Sequence, residues 1–391
     1  VKSAPYSATG DGATDDTAAV ASAVAAAAGK TLYFPSGTYR VDRVLVTSTM
    51  AITGDGPTSI LNPRTLTTED YPTFDVRANN VKISALKIDG NGVTNEPSDF
   101  SDAYNNGGVP GNNYKTSAGF GRGFRAGIRA EAVSGLTVTN MEFTNIPGAA
   151  IATNGSSQIT ISDNWLHDSF WELAYIYGSI NPFALTSGQN VVITDNTVDD
   201  VHAPAAANGL GINPDAIVIS RMNGGVISGN AVDGIDRCGM KLESIRNINV
   251  MYNTTTNATL DYPGIQLQSQ ISHQDTSHNS NNRIAYNTVS HNSTVGILIG
   301  SSDTATSASY ETEVDHNTVT LADYGIQADG TVGQYNLRIH DNIFASIVAT
   351  EIWASGGGTG LFVSGNVKAG PTALSNQPLS IAGAWDDEVF T

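Results

Sequence analysis

Two aspartates 21 residues apart, Asp215 and Asp236, lie in NPDAIVIS (213–220) and GIDRCGMKLE (234–243), with Arg237, Lys241 and Glu243 close behind. These residue types support two chemistries. Paired carboxylates can hydrolyse a glycosidic bond, one protonating the leaving oxygen while the other activates water. A lysine can instead serve as a base at C5 of a uronic acid, provided neighbouring cations lower its pKa. Arg237 is the neighbour available to Lys241. Glu243 can also pair with Lys241, which makes both structural or substrate-binding. The plainer reading of the two aspartates is as turn residues that cap loops.

The element that must position them is a repeat. A line of the form β-residue, x, β-residue, x, x, Asn ends at Asn140, Asn164, Asn196, Asn230, Asn253, Asn287, Asn317, Asn342 and Asn366. The shorter spacings fall at 23–25 residues, and the longer ones read as that period plus a loop. Between the asparagines runs a second strand opening on Gly or Ala, as in AGIRAE (126–131), CGMKLE (238–243), PGIQLQ (263–268) and YGIQAD (324–329). Aliphatic residues on one parity describe a half-buried strand, and stacking such strands makes a continuous core. An inward asparagine at each corner can bond the backbone and its neighbours above and below. The period predicts an all-β chain: a right-handed parallel β-helix, a single-stranded solenoid of about ten coils. One β-helix domain is expected over 1–391, with an N-terminal capping α-helix in DDTAAVASAVAAAAGK (15–30) and a C-terminal cap over 375–391.

Composition narrows the partners. Charged residues are 14% of the chain and the net charge is −18, the wrong sign for a nucleic-acid surface. Apolar runs are too short to span a membrane. A single cysteine, Cys238, rules out an internal disulfide, and with a first residue that is not methionine it points to bacterial secretion after removal of an export signal. No cofactor is expected. There is no dense acidic cluster for calcium, and His202, His273 and His278 lack a zinc-like spacing.

GDGATDDTAAV (10–20), GKTLYFPSGTYRV (29–41) and ITGDGPTSI (52–60) resemble the N-terminal signature of the pectate-lyase-like right-handed parallel β-helix superfamily. That group includes polygalacturonase-type hydrolases, polyuronide lyases, alginate epimerases and phage tailspikes. The signature covers about sixty residues and marks the fold rather than a reaction. The 213–243 segment resembles the polygalacturonase pattern, in which Asn-x-Asp precedes one strand and Asp-Asp-Cys the next. It departs from that pattern at Arg237, which replaces the second aspartate, and at PGIQLQ, where Gly-His-Gly would stand. On the coil register the backbones of Asp215 and Asp236 lie roughly 8 Å apart, within the range of an inverting pair.

In this family the glycan usually lies along the outer face of one sheet. Taking Ile128, Ile217, Met240, Ile265, Ile297 and Ile326 as inward places Arg129, Ala152, Tyr177, Val218, Lys241, Gln266, Leu298 and Gln327 in one outward column. A second holds Glu131, Asn154, Ser179, Ser220, Glu243, Gln268, Gly300 and Asp329. Trp165, Phe170, Trp171, Tyr175, Tyr177 and Phe183 form an aromatic run, and flat rings stack on sugars. Lys115, Arg122, Arg125, Arg129, Arg221, Arg237, Lys241 and Arg246 gather basic charge near the same face, which suits a carboxylate- or sulfate-bearing polymer.

The expectation is a secreted enzyme that hydrolyses a polysaccharide or oligosaccharide, with Asp215 and Asp236 as acid and base and Lys241 and Glu243 beside them. Arg129, Trp171, Tyr177, Arg221, Arg237, Gln266 and Gln268 would bind substrate. A lyase or epimerase using Lys241 is the alternative, and a noncatalytic glycan-binding or tailspike-like protein is a third.

Overall fold

The computed structural model describes residues 1–64, 72–91, 126–146, 148–170, 172–178, 189–202, 214–258, 262–269, 279–291, 294–301, 309–329, 334–369, 377–386 and 389–390. It forms two compact units, one of Val1–Ile180 with Asp195–Pro214, the other of Asn181–Thr194 with Asp215–Thr391. Both use the same coil: short strands in succession, each pairing in parallel with its counterpart in the next coil. The fold is a right-handed parallel β-helix.

In the first unit the helix Thr17–Ala26 buries Val20, Ala23 and Val24 and packs on the strand Val44–Val46. It is shorter than the segment expected to form it. The aspartates stand just ahead of its first turn. Asp15 Oδ1 accepts the Thr17 amide at 3.0 Å, whereas Asp16 turns back to accept the amides of Thr9 and Gly10 at 2.6 and 3.0 Å. Its coils then stack: Phe74–Val76 pairs with Ile128–Glu131, and that strand with Ile151–Asn154.

The second unit contains the strands that matter for the site: β1 (Ile217–Ser220), β2 (Met240–Glu243), β3 (Ile265–Ser269), β4 (Val295–Ser301), β5 (Tyr324–Asp329) and β6 (Thr350–Thr359). Their register aligns Ile217, Met240, Ile265, Ile297, Ile326 and Ile352. All six are nearly or wholly buried, as an inward ladder must be. The glycine just before a ladder residue follows from close packing. A Cβ on Gly325 would meet the Glu351 carbonyl oxygen, and Phe344 at 2.6 Å. Within the tail, Gln377–Asp386 pairs with β6 as a further parallel strand.

The asparagine corner is a hydrogen-bonded ladder. Asn287 Oδ1 accepts both the backbone amide and the side-chain amide of Asn253, at 3.0 and 2.9 Å. Asn253 Nδ2 also donates to the carbonyl of Ile227 at 2.9 Å. The same pattern links Asn230 to Asn253, Asn287 to Asn317, Asn317 to Asn342, and Asn342 to Asn366. In the first unit it links Asn164 to Asn196. Asn140 is a correction. It is exposed at positive φ, and Met141 holds the inward place, its amide bonded to Asn164 Oδ1 at 3.0 Å. Asparagine is among the few residues that tolerate this left-handed geometry, so the same residue type serves on either side of the bend.

Candidate functional site

The register of β1 to β6 lines up Val218, Lys241, Gln266, Leu298, Gln327 and Trp353 in one outward row. Ser220, Glu243, Gln268, Gly300 and Asp329 form the other. Both rows follow the sequence reading for this unit, and Trp353 extends the first. A tightly bonded group sits on β2 and β3. Lys241 Nζ lies 3.0 Å from Glu243 Oε1. Gln268 Nε2 donates to the same oxygen at 2.9 Å, and Gln266 Nε2 donates to Gln268 Oε1 at 2.8 Å. Two residues apart on a strand means one face, so β2 itself brings Lys241 to Glu243.

Asp215 stands just before β1 and is buried, 4% exposed. Its Oδ1 accepts the backbone amide of Cys238 at 3.0 Å and lies 3.7 Å from Arg237 Nε, an ion pair beyond hydrogen-bond range. Asp236, 7% exposed, precedes that amide by two residues. The Cys238 thiol donates to Gln266 Oε1 at 3.2 Å. Burial and then the charge of Asp215 push this thiol well above its usual pKa, so it is no nucleophile.

Arg237 lies over the ring of Tyr262, 4.7 Å from its centroid. The charge of Asp215 raises the guanidinium's pKa further, although burial opposes it. Tyr262 is not among the residues expected from the sequence. It was within reach, because carrying the Met240–Ile265 register back three residues sets Tyr262 beside Arg237.

Lys241 departs from what the elimination chemistry needs. Burial works to lower its pKa, but the charges of Glu243 and then Asp215 outweigh it, and the pKa is raised. Arg237 opposes that rise without reversing it. A lysine held this way stays protonated and is a poor base.

The other expected residues are placed differently. Arg129 belongs to the first unit, where its guanidinium meets the fully buried carboxylate of Asp75 at 3.1 Å. Arg43 and Arg77 join the same carboxylate at 2.5 and 2.7 Å. Burial acts to raise the Asp75 pKa, but Arg129 and the other arginine contacts hold it below the usual range. Arg129 is thus the partner of a buried acid. Tyr177 is opposite Asn154, and it is Tyr175 that stands opposite Ala152, so the expected column slips by two residues there. Arg221 occupies the corner after β1 at positive φ, and Arg246 opens the strand that follows β2, Arg246–Met251. Trp165 is 44% exposed on a different sheet, stacked on His167 at 3.8 Å. Trp171, Phe183, Lys115, Arg122 and Arg125 lie outside the described residues.

Among the described residues, Glu313, Asp315 and His340 bring donor atoms within 4.8 Å of one another, as metal ligands would. Arg283 fits that site poorly with a cation, since it binds both oxygens of Asp315 at 2.7 and 2.5 Å. A hollow of about 480 Å³ lies nearby, lined by Asn336, Arg338 and Phe362 among others, and none of the expected site residues lines it. Among the described residues, no helix is long and apolar enough to cross a membrane.

Residues 126–319 match the family model described as right handed beta helix region. No curated protein matches the sequence. Among solved structures, the chain is similar to the catalytic unit of a thermostable GH87 α-1,3-glucanase from Streptomyces thermodiastaticus. The TM-score is 0.67 at 12% identity, covering 98% of this chain and 67% of that one. An exopolygalacturonase from Thermotoga maritima gives 0.54 at 12%, covering 96% and 90%. Tailspike protein 3 of bacteriophage CBA120 gives 0.57 at 11%, covering 96% and 58%. At such identities the likeness carries the fold alone. By coil, ladder and fold, the chain is a right-handed parallel β-helix, and residues 126–319 carry the sequence pattern of that fold's family model.

Proposed function

We propose that this protein is a polysaccharide-active enzyme, acting by hydrolysis of a glycosidic bond with Asp215 and Asp236 as the acid–base pair. The observation that carries the reading is the placement of two nearly buried aspartates on successive coils, ahead of strands that bear an outward row of hydrogen-bonding side chains. Arg237 adds to it. Its Nε–H is buried and has no hydrogen-bond partner among the described residues, a donor left for a ligand oxygen. Glycan-acting enzymes among the fold neighbours, glucanase and polygalacturonase, are compatible with this reading. Lys241, Gln266, Gln268 and Tyr262 would contact or frame the sugar. The raised pKa of Lys241 speaks against the lyase alternative.

The test is incubation with a panel of neutral and acidic polysaccharides. New reducing ends without ultraviolet absorbance support hydrolysis. Absorbance from an unsaturated uronate means elimination instead. Binding without turnover on every polymer favours a noncatalytic, tailspike-like role. Full activity in Asp215→Asn removes the acid–base assignment.

A further inference from the structure

After β3, β4, β5 and β6 each coil of the second unit turns a corner and lays down another short strand: Arg283–Ala285, Glu313–Asp315, Arg338–His340 and Phe362–Ser364. These pair in parallel with one another and so make a face of their own. Ile284, Val314, Ile339 and Val363 are buried. Alternation then leaves Arg283, Glu313, Arg338 and Phe362 in one outward row.

The corner ahead of each strand supplies a second row: Asn281, Glu311 and Asn336 at φ of 53°, 50° and 55°, then Gly360. Asn336 leans across Gly360, where a Cβ would meet its Oδ1 at 2.6 Å. Residues of both rows line the hollow of about 480 Å³, and they come from four successive coils. Its volume is in the small-molecule range, and its span along the stack is three strand spacings, about 14 Å.

The lining points to the ligand. Asn281 and Asn336 bring amides, Glu311 and Glu313 carboxylates, and Arg338 a guanidinium. Together they offer both donors and acceptors, which suits sugar hydroxyls because each hydroxyl donates and accepts. Phe362 adds apolar ring surface, with the Arg338 guanidinium 5.1 Å from its centroid. Glu313 is held in place, its Oε1 2.9 Å from His340 Nε2, so less ordering is left for binding to impose. Beside the corner row, Tyr310 and Tyr335 stack at 4.9 Å and stay 37% and 36% exposed.

We infer that this face is a second glycan-binding site, which holds a polysaccharide chain along the stack without cutting it. Neither candidate acid lines the hollow. The site therefore stands or falls independently of the acid–base reading.

The test is affinity electrophoresis of Asp215→Asn, which suppresses turnover, in native gels cast with dextran, mixed-linkage β-glucan, galactomannan, polygalacturonate or alginate. Retardation by at least one polymer is expected. It should weaken about three- to tenfold in Arg338→Ala and in Glu311→Gly,Asn336→Gly, the scale of one lost hydrogen bond. Glycine suits the positive φ at both corners, so the double variant keeps its backbone. A urea midpoint near that of the parent protein shows that each variant is folded. Retardation by none of the polymers overturns the inference, and so does undiminished retardation in both folded variants. With Asp215 intact, the same changes should leave kcat on a short soluble oligosaccharide as it was. A fall there assigns the residues to the cutting site and also overturns the inference. Retardation that depends on Arg338, in a chain that releases no reducing ends from any polymer, sinks the hydrolase reading and leaves this one standing.

Discussion

Asp215 Oδ1 accepts the backbone amide of Cys238, 23 residues later and one coil on, at 3.0 Å. The carboxylate is thereby fixed beside Arg237, on an amide two residues past Asp236 in the chain. Replacing Asp215 with Asn keeps an oxygen for that amide and removes the charge. Asp215→Asn is expected to fold normally by circular dichroism and to lose about 10²- to 10⁴-fold in kcat, the contribution of one positioned acid or base. Asp236→Asn should fall within the same range if the two act as a pair.

Trp353 continues the row that holds Lys241, four strand spacings or about 19 Å away. Its ring stacks on Tyr324 with centroids 5.0 Å apart. A glycan laid along the row reaches Trp353 only if it is several sugars long. Trp353→Ala should raise KM roughly three- to tenfold for long chains and leave short oligosaccharides unaffected, on the scale of one ring stack. An equal change for both lengths points to a structural role.

Removing Asn287 strips an acceptor from two buried donors of Asn253. Asn287→Ala is expected to cost roughly 2–4 kcal/mol, read as a lower urea midpoint. Asn140→Ala, on the outside of its bend, should cost less, about 1 kcal/mol, because alanine tolerates that positive φ poorly.

Gly325 has no room for a side chain against Glu351 and Phe344. Gly325→Ala should cost about 1–3 kcal/mol through forced repacking, again visible in the urea midpoint.

His340 gives a pH signature. Burial tends to lower its pKa, but hydrogen bonds to Glu313 and Asp341, with the charges of Asp315 and Glu313, raise it overall. His316 and Phe362 pack around the same ring. A raised folded-state value means the stabilisation is full below the ordinary histidine range and disappears as pH rises through the raised value. The stability gap between wild type and His340→Gln should therefore be wider at about pH 5.5 than at about pH 8.5, on either side of the ordinary value. An unchanged gap, or one that widens with pH, contradicts this account.

The coil, the inward ladder and the asparagine corner were legible because each repeats, and repetition reveals parity and period together. Face was easier to read than register. Tyr175 and Tyr177 share a parity, so a slip of two residues keeps both outward and changes only their neighbours. Asn140 misled because asparagine suits both the inward corner and the left-handed residue beside it. The ion pairs were partly hidden for a different reason. Lys241 and Glu243 are two residues apart on one strand, and that pairing was open to a reader of the sequence. Arg129 meets Asp75 across 54 residues, and Asp75 belongs to no recognisable pattern. Nothing local announces such a contact, since stacking alone creates it.

The asparagine ladder leaves the length of the molecule unconstrained. Each of these rungs offers the one before it the same acceptor and gives the next the same two donors. A whole coil can therefore be added or deleted between Asn253 and Asn287 without stranding a polar group in the interior. The outward rows would lengthen or shorten with it, one side chain per coil. Reach along a bound chain is thus a quantity that duplication of a short stretch of gene can adjust, with the interior bonding pattern unchanged.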